Sequence, residues 1–290
     1  INGLLLWSNI SQFNILENTY ASMDAFFTLS PLLFMLFIPA MSMKTFSEEY
    51  SIGTIEILTT QPITTYQIIT SKFLAILTLV IASILPTSLY VITIYTLGET
   101  TGNLDLAGIA GSYIGLLMLS SVFTSISVLA SSISNNQITS FILGITIASI
   151  FYFGFDLLSG IKMLESIDLI LQKMGISYHY NIMSKGLLQA SNIVYFMSIS
   201  FFFLKATENI IKNNSSKKII FSKDYNYILK ENNFFYFEDE FGGLKLPMPN
   251  LPGEFQLENV STAIATARQL TDYKILDKHI KKIPIGIPVY

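Results

Sequence analysis

Apolar stretches separated by short polar breaks fill the first two-thirds of the chain. Five stand out, at about residues 25–43, 73–97, 109–133, 138–158 and 193–204. A helix needs roughly 20 mostly apolar residues to cross a bilayer. The last stretch falls short of that alone, and residues 190–192 can extend it. Between the fourth and fifth, Ile161, Leu164, Ile167, Leu171 and Met174 recur every three or four positions. That spacing predicts an amphipathic helix over 161–174 lying on the membrane surface. Beyond Ser215 the pattern changes. A polar Asn213-Asn214-Ser215-Ser216 run leads to short alternating strands such as 234–237, a proline-rich loop at 246–253 and a helical pattern at 258–270. This second part reads as a piece of a soluble α/β domain, too small to be complete.

The polar break at 46–64, FSEEYSIGTIEILTTQPIT, is unusually elaborate. The first span is expected to continue as helix through Lys44 to Tyr50. Gly53 can adopt positive φ and end it. A new helix can start at once, with Glu56 in its first turn, where a carboxylate favours the positive end of the helix dipole. Pro62 stops that helix by excluding the preceding residue from α geometry. Thr64 and Gln67 have capping-box spacing, and Ile63 and Ile68 are placed for a hydrophobic staple. The segment is thus a helical elbow. Phe46, Tyr50 and Ile57 are expected to face lipid or the bundle, and Glu48, Glu49 and Glu56 water or a partner. Spacing leaves two readings open: a solvated acidic face, or a docking surface.

Composition agrees with a membrane protein. The 290 residues are 51% hydrophobic and 13% charged, with a mean hydropathy of +0.53, against roughly 25% charged in a soluble domain. The net charge of −3 gives no reason to expect nucleic-acid binding. With no cysteine, disulfides and thiolate metal sites are excluded. Lys44 and Lys72 flank the elbow, and Lys205, Lys212, Lys217 and Lys218 follow the last span, whereas the 98–106 loop carries Glu99 and Asp105 and no base. The positive-inside rule then places the elbow and the C-terminal part in the cytoplasm, although Lys162, Lys173 and Lys185 fall on the outer side. The chain begins at Ile1, and no signal peptide is visible.

The pattern Glu49-x3-Gly53-Thr54-Ile55-Glu56-x-Leu58-x3-Pro62 resembles the cytoplasmic coupling segment of type-2 ABC exporter permeases. Residues 13–206 resemble more narrowly the gliding-motility-associated (GldF-like) permeases, through FNILENTYASMDAFF, the elbow, GSYIGLLML, SNNQITSFIL, FYFGFDLLSG and GISYHYNIMSKG in that order. The resemblance implies an all-α polytopic membrane protein of the bacterial inner membrane. Of its six transmembrane helices five would be present, the first preceding Ile1. It also implies a cytoplasmic ABC ATPase as partner, docked on Glu48, Glu49, Gly53, Thr54, Glu56, Leu58 and Pro62, and a second permease chain making a homo- or heterodimer in the lipid bilayer. The chain has no G-x-x-x-x-G-K-[ST] loop to cradle phosphates, so no cofactor is expected on it, ATP and Mg belonging to the partner. A structural subunit of gliding or secretion machinery that moves no substrate would carry the same features.

The tail is similar to something else. Residues 221–270 resemble the middle of folylpolyglutamate synthases, relatives of the Mur ligases. That family's Gly-x-His-Gln-x-x-Asn appears as Gly253-Glu254-Phe255-Gln256-Leu257-Glu258-Asn259, with Phe255 replacing the histidine and Asn259 at a position used near the ATP adenine. Without a phosphate loop the tail is expected to be an inactive remnant rather than a ligase. The expected organisation is a permease domain at 1–207, a linker at 208–218 and the fragment at 219–290.

Other residues carry weaker signals. Pro86 interrupts the second span and predicts a kink, as hinge or fixed bend. Gly111 and Gly115, with Ser120, Ser121, Ser125 and Ala130, form a small-residue face suited to close helix approach, either between two chains or within one bundle. Asp24 and Asp156 lie near outer span ends, where hydration explains them as well as function does. His179, between two tyrosines, reads as interfacial. The clusters at 151–155 and 201–203 read as aromatic belts or lipid contacts. No triad, metal cluster or catalytic carboxylate pair is evident.

Overall fold

A computed structural model describes residues 3, 6, 22–60, 62–97, 104–161, 166–214, 222–230, 234–249 and 254–269. The chain divides into two compact units, Ile1–Ser215 and Ser216–Tyr290.

The first unit is helical. Helices α1 (Asp24–Ser42), α2 (Ser47–Ile52), α3 (Thr54–Thr60) and α4 (Thr65–Ile84) lead through a 3₁₀ turn at Leu85–Thr87 into α5 (Ser88–Leu97). Then come α6 (Leu106–Ile133), α7 (Gln137–Ser149), a π turn at Ile150–Gly154, α8 (Phe155–Ser159), α9 (Asp168–Met174), α10 (Ile176–Met183) and α11 (Ala190–Asn214). Among the described residues five helical stretches are long and apolar enough to cross a membrane: Asp24–Ile52, Thr65–Thr96, Leu106–Ile133, Gln137–Ser159 and Ala190–Asn213. All five predicted spans are therefore present. The last is longer than its apolar core suggests and continues to Asn214, through half of the stretch read as linker.

Helix α6 is the axis of the bundle. It packs against α1, α4, α7, α10 and α11, and 78% of its most apolar window is buried, against 17% for the α7–α8 span. Its serines fit an apolar interior because they satisfy themselves: Ser120, Ser125, Ser127 and Ser132 donate to carbonyls three or four residues back in the same helix. Pro86 sits in the 3₁₀ turn that separates α4 from α5, so the expected irregularity is a change of helix type.

Three expectations need correction. The surface helix over 161–174 is only the short α9, preceded by a 3₁₀ turn at residues 166–167; residues 162–165, with Leu164, lie outside the described residues. After Gly175, α10 is an inward element instead: Ile176, Tyr180 and Met183 are fully buried. Its sequence, ISYHYNIM, is only eight residues long, but its buried Ile176, Tyr180 and Met183 do recur at helical spacing. Second, the aromatics do not form a simple belt. Phe203 is buried and packs edge-on against Phe151 with ring centroids 5.2 Å apart, while Phe201 and Phe202 face outward. Third, His179 is held within the unit. Its ring stacks on Tyr195 at 3.8 Å, Nδ1 is 2.8 Å from Asn192 Oδ1 and Nε2 is 2.8 Å from the Lys173 carbonyl. Asp24 is exposed at the start of α1, and Asp156 accepts a 2.5 Å hydrogen bond from Ser177.

The second unit is a three-stranded antiparallel sheet, β1 (Tyr225–Lys230), β2 (Phe234–Asp239) and β3 (Gly242–Pro247), with α12 (Glu254–Gln269). Alternate residues Phe235, Phe237, Leu244 and Leu246 turn to one side, and Leu257, Ile264 and Ala265 of α12 join them in a small core. Arg268 holds the β2–β3 turn, bonding Asp239 at 2.6 Å and the carbonyls of Gly242 and Phe241. Asn259 is exposed on α12 and Phe255 is 77% exposed.

Candidate functional site: the elbow and its joint

The elbow is two short helices with a sharp joint at each end. Gly53 separates α2 from α3 at φ +79°, with its N–H bonded back to the carbonyls of Glu49 and Tyr50. A Cβ there would meet nothing within 4 Å, so backbone conformation alone asks for glycine. At the far side of α3, Pro62 is exposed. Thr64 then caps α4: its Oγ1 accepts from Gln67 N at 3.2 Å, and Gln67 Oε1 accepts from Thr64 N at 2.9 Å. The capping box is complete. Ile68 is buried, whereas Ile63 stays 47% exposed.

The first span does not run on to Tyr50 as helix. It breaks into a turn at residues 43–46. The face of Glu49 differs from the expectation that it meets water or a partner. Phe46 is fully buried, but Ile55 is the buried residue of α3 and Ile57 is 63% exposed. Glu49 turns inward to pair with Lys72 of α4 at 2.5 Å. Leu58 and Glu48 are half-buried, Thr54 is exposed, and Glu56 lies in the first turn of α3. Among the elbow side chains that are described, Ser51, Ile52, Thr54 and Ile57 face outward beside Gly53, and Ile52 and Ile57 are the large apolar ones.

Two side chains from distant spans hold the turn at 43–46. Phe46 occupies the N-cap position of α2 and has no side chain to cap with. Ser131 of α6 takes that role: its Oγ accepts from Phe46 N at 2.9 Å and Ser47 N at 3.2 Å, and lies 3.2 Å from the Met43 carbonyl, to which it donates. On the other side Lys72 Nζ donates to the Thr45 carbonyl at 2.5 Å and to Glu49, and lies 4.7 Å from the centre of the Phe46 ring. One further lysine, Lys205 of α11, lies over the Tyr66 ring at the start of α4 and pairs with Glu208 at 2.7 Å.

At its opposite end α6 meets α10 and the turn after it. A Cβ on Gly111 would come within 2.6 Å of the Gly186 carbonyl oxygen, and one on Gly115 within 2.7 Å of Met183 Cβ. These two glycines thus face neighbours inside the chain. Ser112 donates to the Ser184 carbonyl at 2.8 Å, and Tyr180 of α10 donates to the Phe27 carbonyl of α1 at 2.7 Å. Burial pushes the Tyr180 phenol well above its ordinary pKa, with Tyr152 adding to the effect, so it remains a donor.

Residues 4–236 match the family model of ABC-2 family transporter proteins. The chain belongs to the ABC-2 transporter family. The match takes in all five spans and the elbow, so the chain is a multi-pass membrane protein and a transport subunit rather than an enzyme. Membership implies an ABC ATPase partner and pairing of permease units. No curated protein matches the chain. The capping box and Gly53 were legible from local sequence. Ser131 and the Lys72–Glu49 pair were not, although a helix whose N-cap position holds phenylalanine was a sign that a cap must come from elsewhere.

Proposed function

We propose that this chain is the permease subunit of a gliding-motility-type ABC transporter in the bacterial inner membrane. The elbow docks in a groove of a separate cytoplasmic ABC ATPase, which binds ATP and Mg. Closure of the ATPase then moves the elbow and, through it, the spans. One observation carries this reading. The elbow presents Ile52, Gly53, Thr54 and Ile57 outward on a rigid, doubly capped support, with Ile52 67% and Ile57 63% exposed. Apolar residues held outward beyond the end of a span fit a partner groove better than they fit water. The ordered likeness of residues 13–206 to gliding-motility permeases supports the narrower assignment.

Because Ile52 and Ile57 are exposed, acidic substitutions at these two positions should be more damaging than loss of Glu48. The experiment is co-expression of the full chain with its ABC ATPase, purification in detergent and measurement of nucleotide hydrolysis in the recovered complex. Ile52→Asp with Ile57→Asp should abolish ATPase recovery while the permease itself remains monodisperse. Undiminished recovery would sink the docking assignment.

A further inference from the structure

The turn at residues 43–46 is only partly held by its own bonds: Thr45 N–H reaches the Ser42 carbonyl and the Ser47 hydroxyl donates to the Met43 carbonyl. The Thr45 carbonyl and the helix-starting N–H groups of Phe46 and Ser47 take their partners from other spans. Ser131 is fully buried and engages the Met43 carbonyl and both N–H groups through one hydroxyl. Lys72 takes the Thr45 carbonyl and, through Glu49, the body of α2. Ser131 belongs to the buried axial helix, and Lys72 to the helix that leaves the elbow. The elbow is therefore fastened to two spans besides the one that leads into it, and each fastening is directional and polar. Hydrogen bonds of this kind hold one geometry and break abruptly, unlike sliding apolar contacts.

We propose that Ser131 and Lys72 are the positioning residues that make the elbow a two-armed lever: Ser131 passes its movement to α6, and Lys72 passes it to α4. This rests on the reading of the elbow as the ATPase-docking segment. Neither residue lies on the outward face, so neither is expected to touch the docked ATPase. Removing either should separate docking from transmission: the ATPase still binds, but the far end of the bundle no longer responds.

The chain has no cysteine of its own, so nitroxide labels can be placed at will. Leu106→Cys at the start of α6 and Leu157→Cys in α8 are both exposed and lie far from the elbow in sequence. The labelled full chain, purified with its ABC ATPase, is measured by pulsed electron paramagnetic resonance with and without ATP and vanadate. The unsubstituted joint should show a shift in the Leu106–Leu157 distance distribution on trapping. Ser131→Ala should recover the same amount of ATPase and lose this shift, and Lys72→Met should recover the same amount and lose the corresponding shift of a Leu89→Cys and Leu157→Cys pair, whose first label lies beyond α4 on α5. A shift of wild-type size in both variants overturns the lever, and so does the lack of any shift with the joint intact. Failure of the ATPase to bind the unsubstituted chain is a different result: it removes the docking assignment, and the lever with it.

Discussion

The two ends of α6 are fastened in opposite ways. At one end Gly111 and Gly115 let α10 and the Gly186 turn approach to backbone distance, a contact made mainly by close packing and joined by one hydrogen bond from Ser112 to the Ser184 carbonyl. At the other, Ser131 holds the elbow joint through hydrogen bonds, next to the Lys72–Glu49 ion pair. Close packing of small residues tolerates almost no displacement without a clash or a void. A polar clamp keeps one geometry but can open and re-form, since water or another donor can replace each bond. One end of the axial helix is thus held mainly by packing, and the other by polar bonds that can exchange partners.

The largest effect should come from spoiling the packed end. Gly115→Leu places a branched side chain where a single Cβ already comes within 2.7 Å of Met183. Overpacking of this kind costs about 3 kcal/mol. Thermal unfolding in detergent should show a large drop in midpoint, accompanied by aggregation. A normal midpoint would mean that α10 can move away freely, and the contrast between the two ends would vanish.

Next in size is the ion pair at the elbow. Lys72 and Glu49 are about three-quarters buried, with side-chain exposures of 23% and 25%. The second carboxylate oxygen of Glu49 is buried with no hydrogen-bond partner among the described residues. In Lys72→Met the carboxylate loses its cation in a poorly hydrated place, at a cost of about 2 kcal/mol. Lys72→Met combined with Glu49→Gln should recover most of that loss, because the stranded charge is gone. Equal midpoints for the single and double variants would show that the pair acts as an exposed one, which is worth little.

What was legible in the sequence follows the range of the forces involved. The spans came from long apolar runs, and the end of α2 at Gly53 and the start of α4 at Thr64 from chemistry within four residues. The face of the elbow did not. Spacing alone shows neither the turn at residues 43–46 nor Lys72, 23 residues away, which pairs with Glu49 and turns it inward. The break itself depends on Ser131, more than 80 residues away in sequence. Helix α10 was missed for a similar reason: Tyr180 and Met183 are buried by Phe27 and Gly115, so their environment is set by partners rather than by periodicity. The small-residue face of α6 was seen, but spacing could not say whether its partner was another chain or α10.

The smallest effect, and the most local, concerns the capping box at the exit of the elbow. Thr64→Ala removes the acceptor for Gln67 N and leaves Gln67 to cap alone. Loss of an N-cap hydroxyl costs about 1 kcal/mol, roughly a fivefold change in an opening equilibrium. Because Thr64 is exposed and its partners are local, the global midpoint should barely move. Hydrogen exchange should instead quicken by about fivefold in the first turn of α4 alone, with the protection of α6 around Ser131 unchanged. If exchange quickens in both places, the two sides of the elbow are one cooperative unit. The joint at residues 43–46 would then open together with the exit, rather than acting as a clamp of its own.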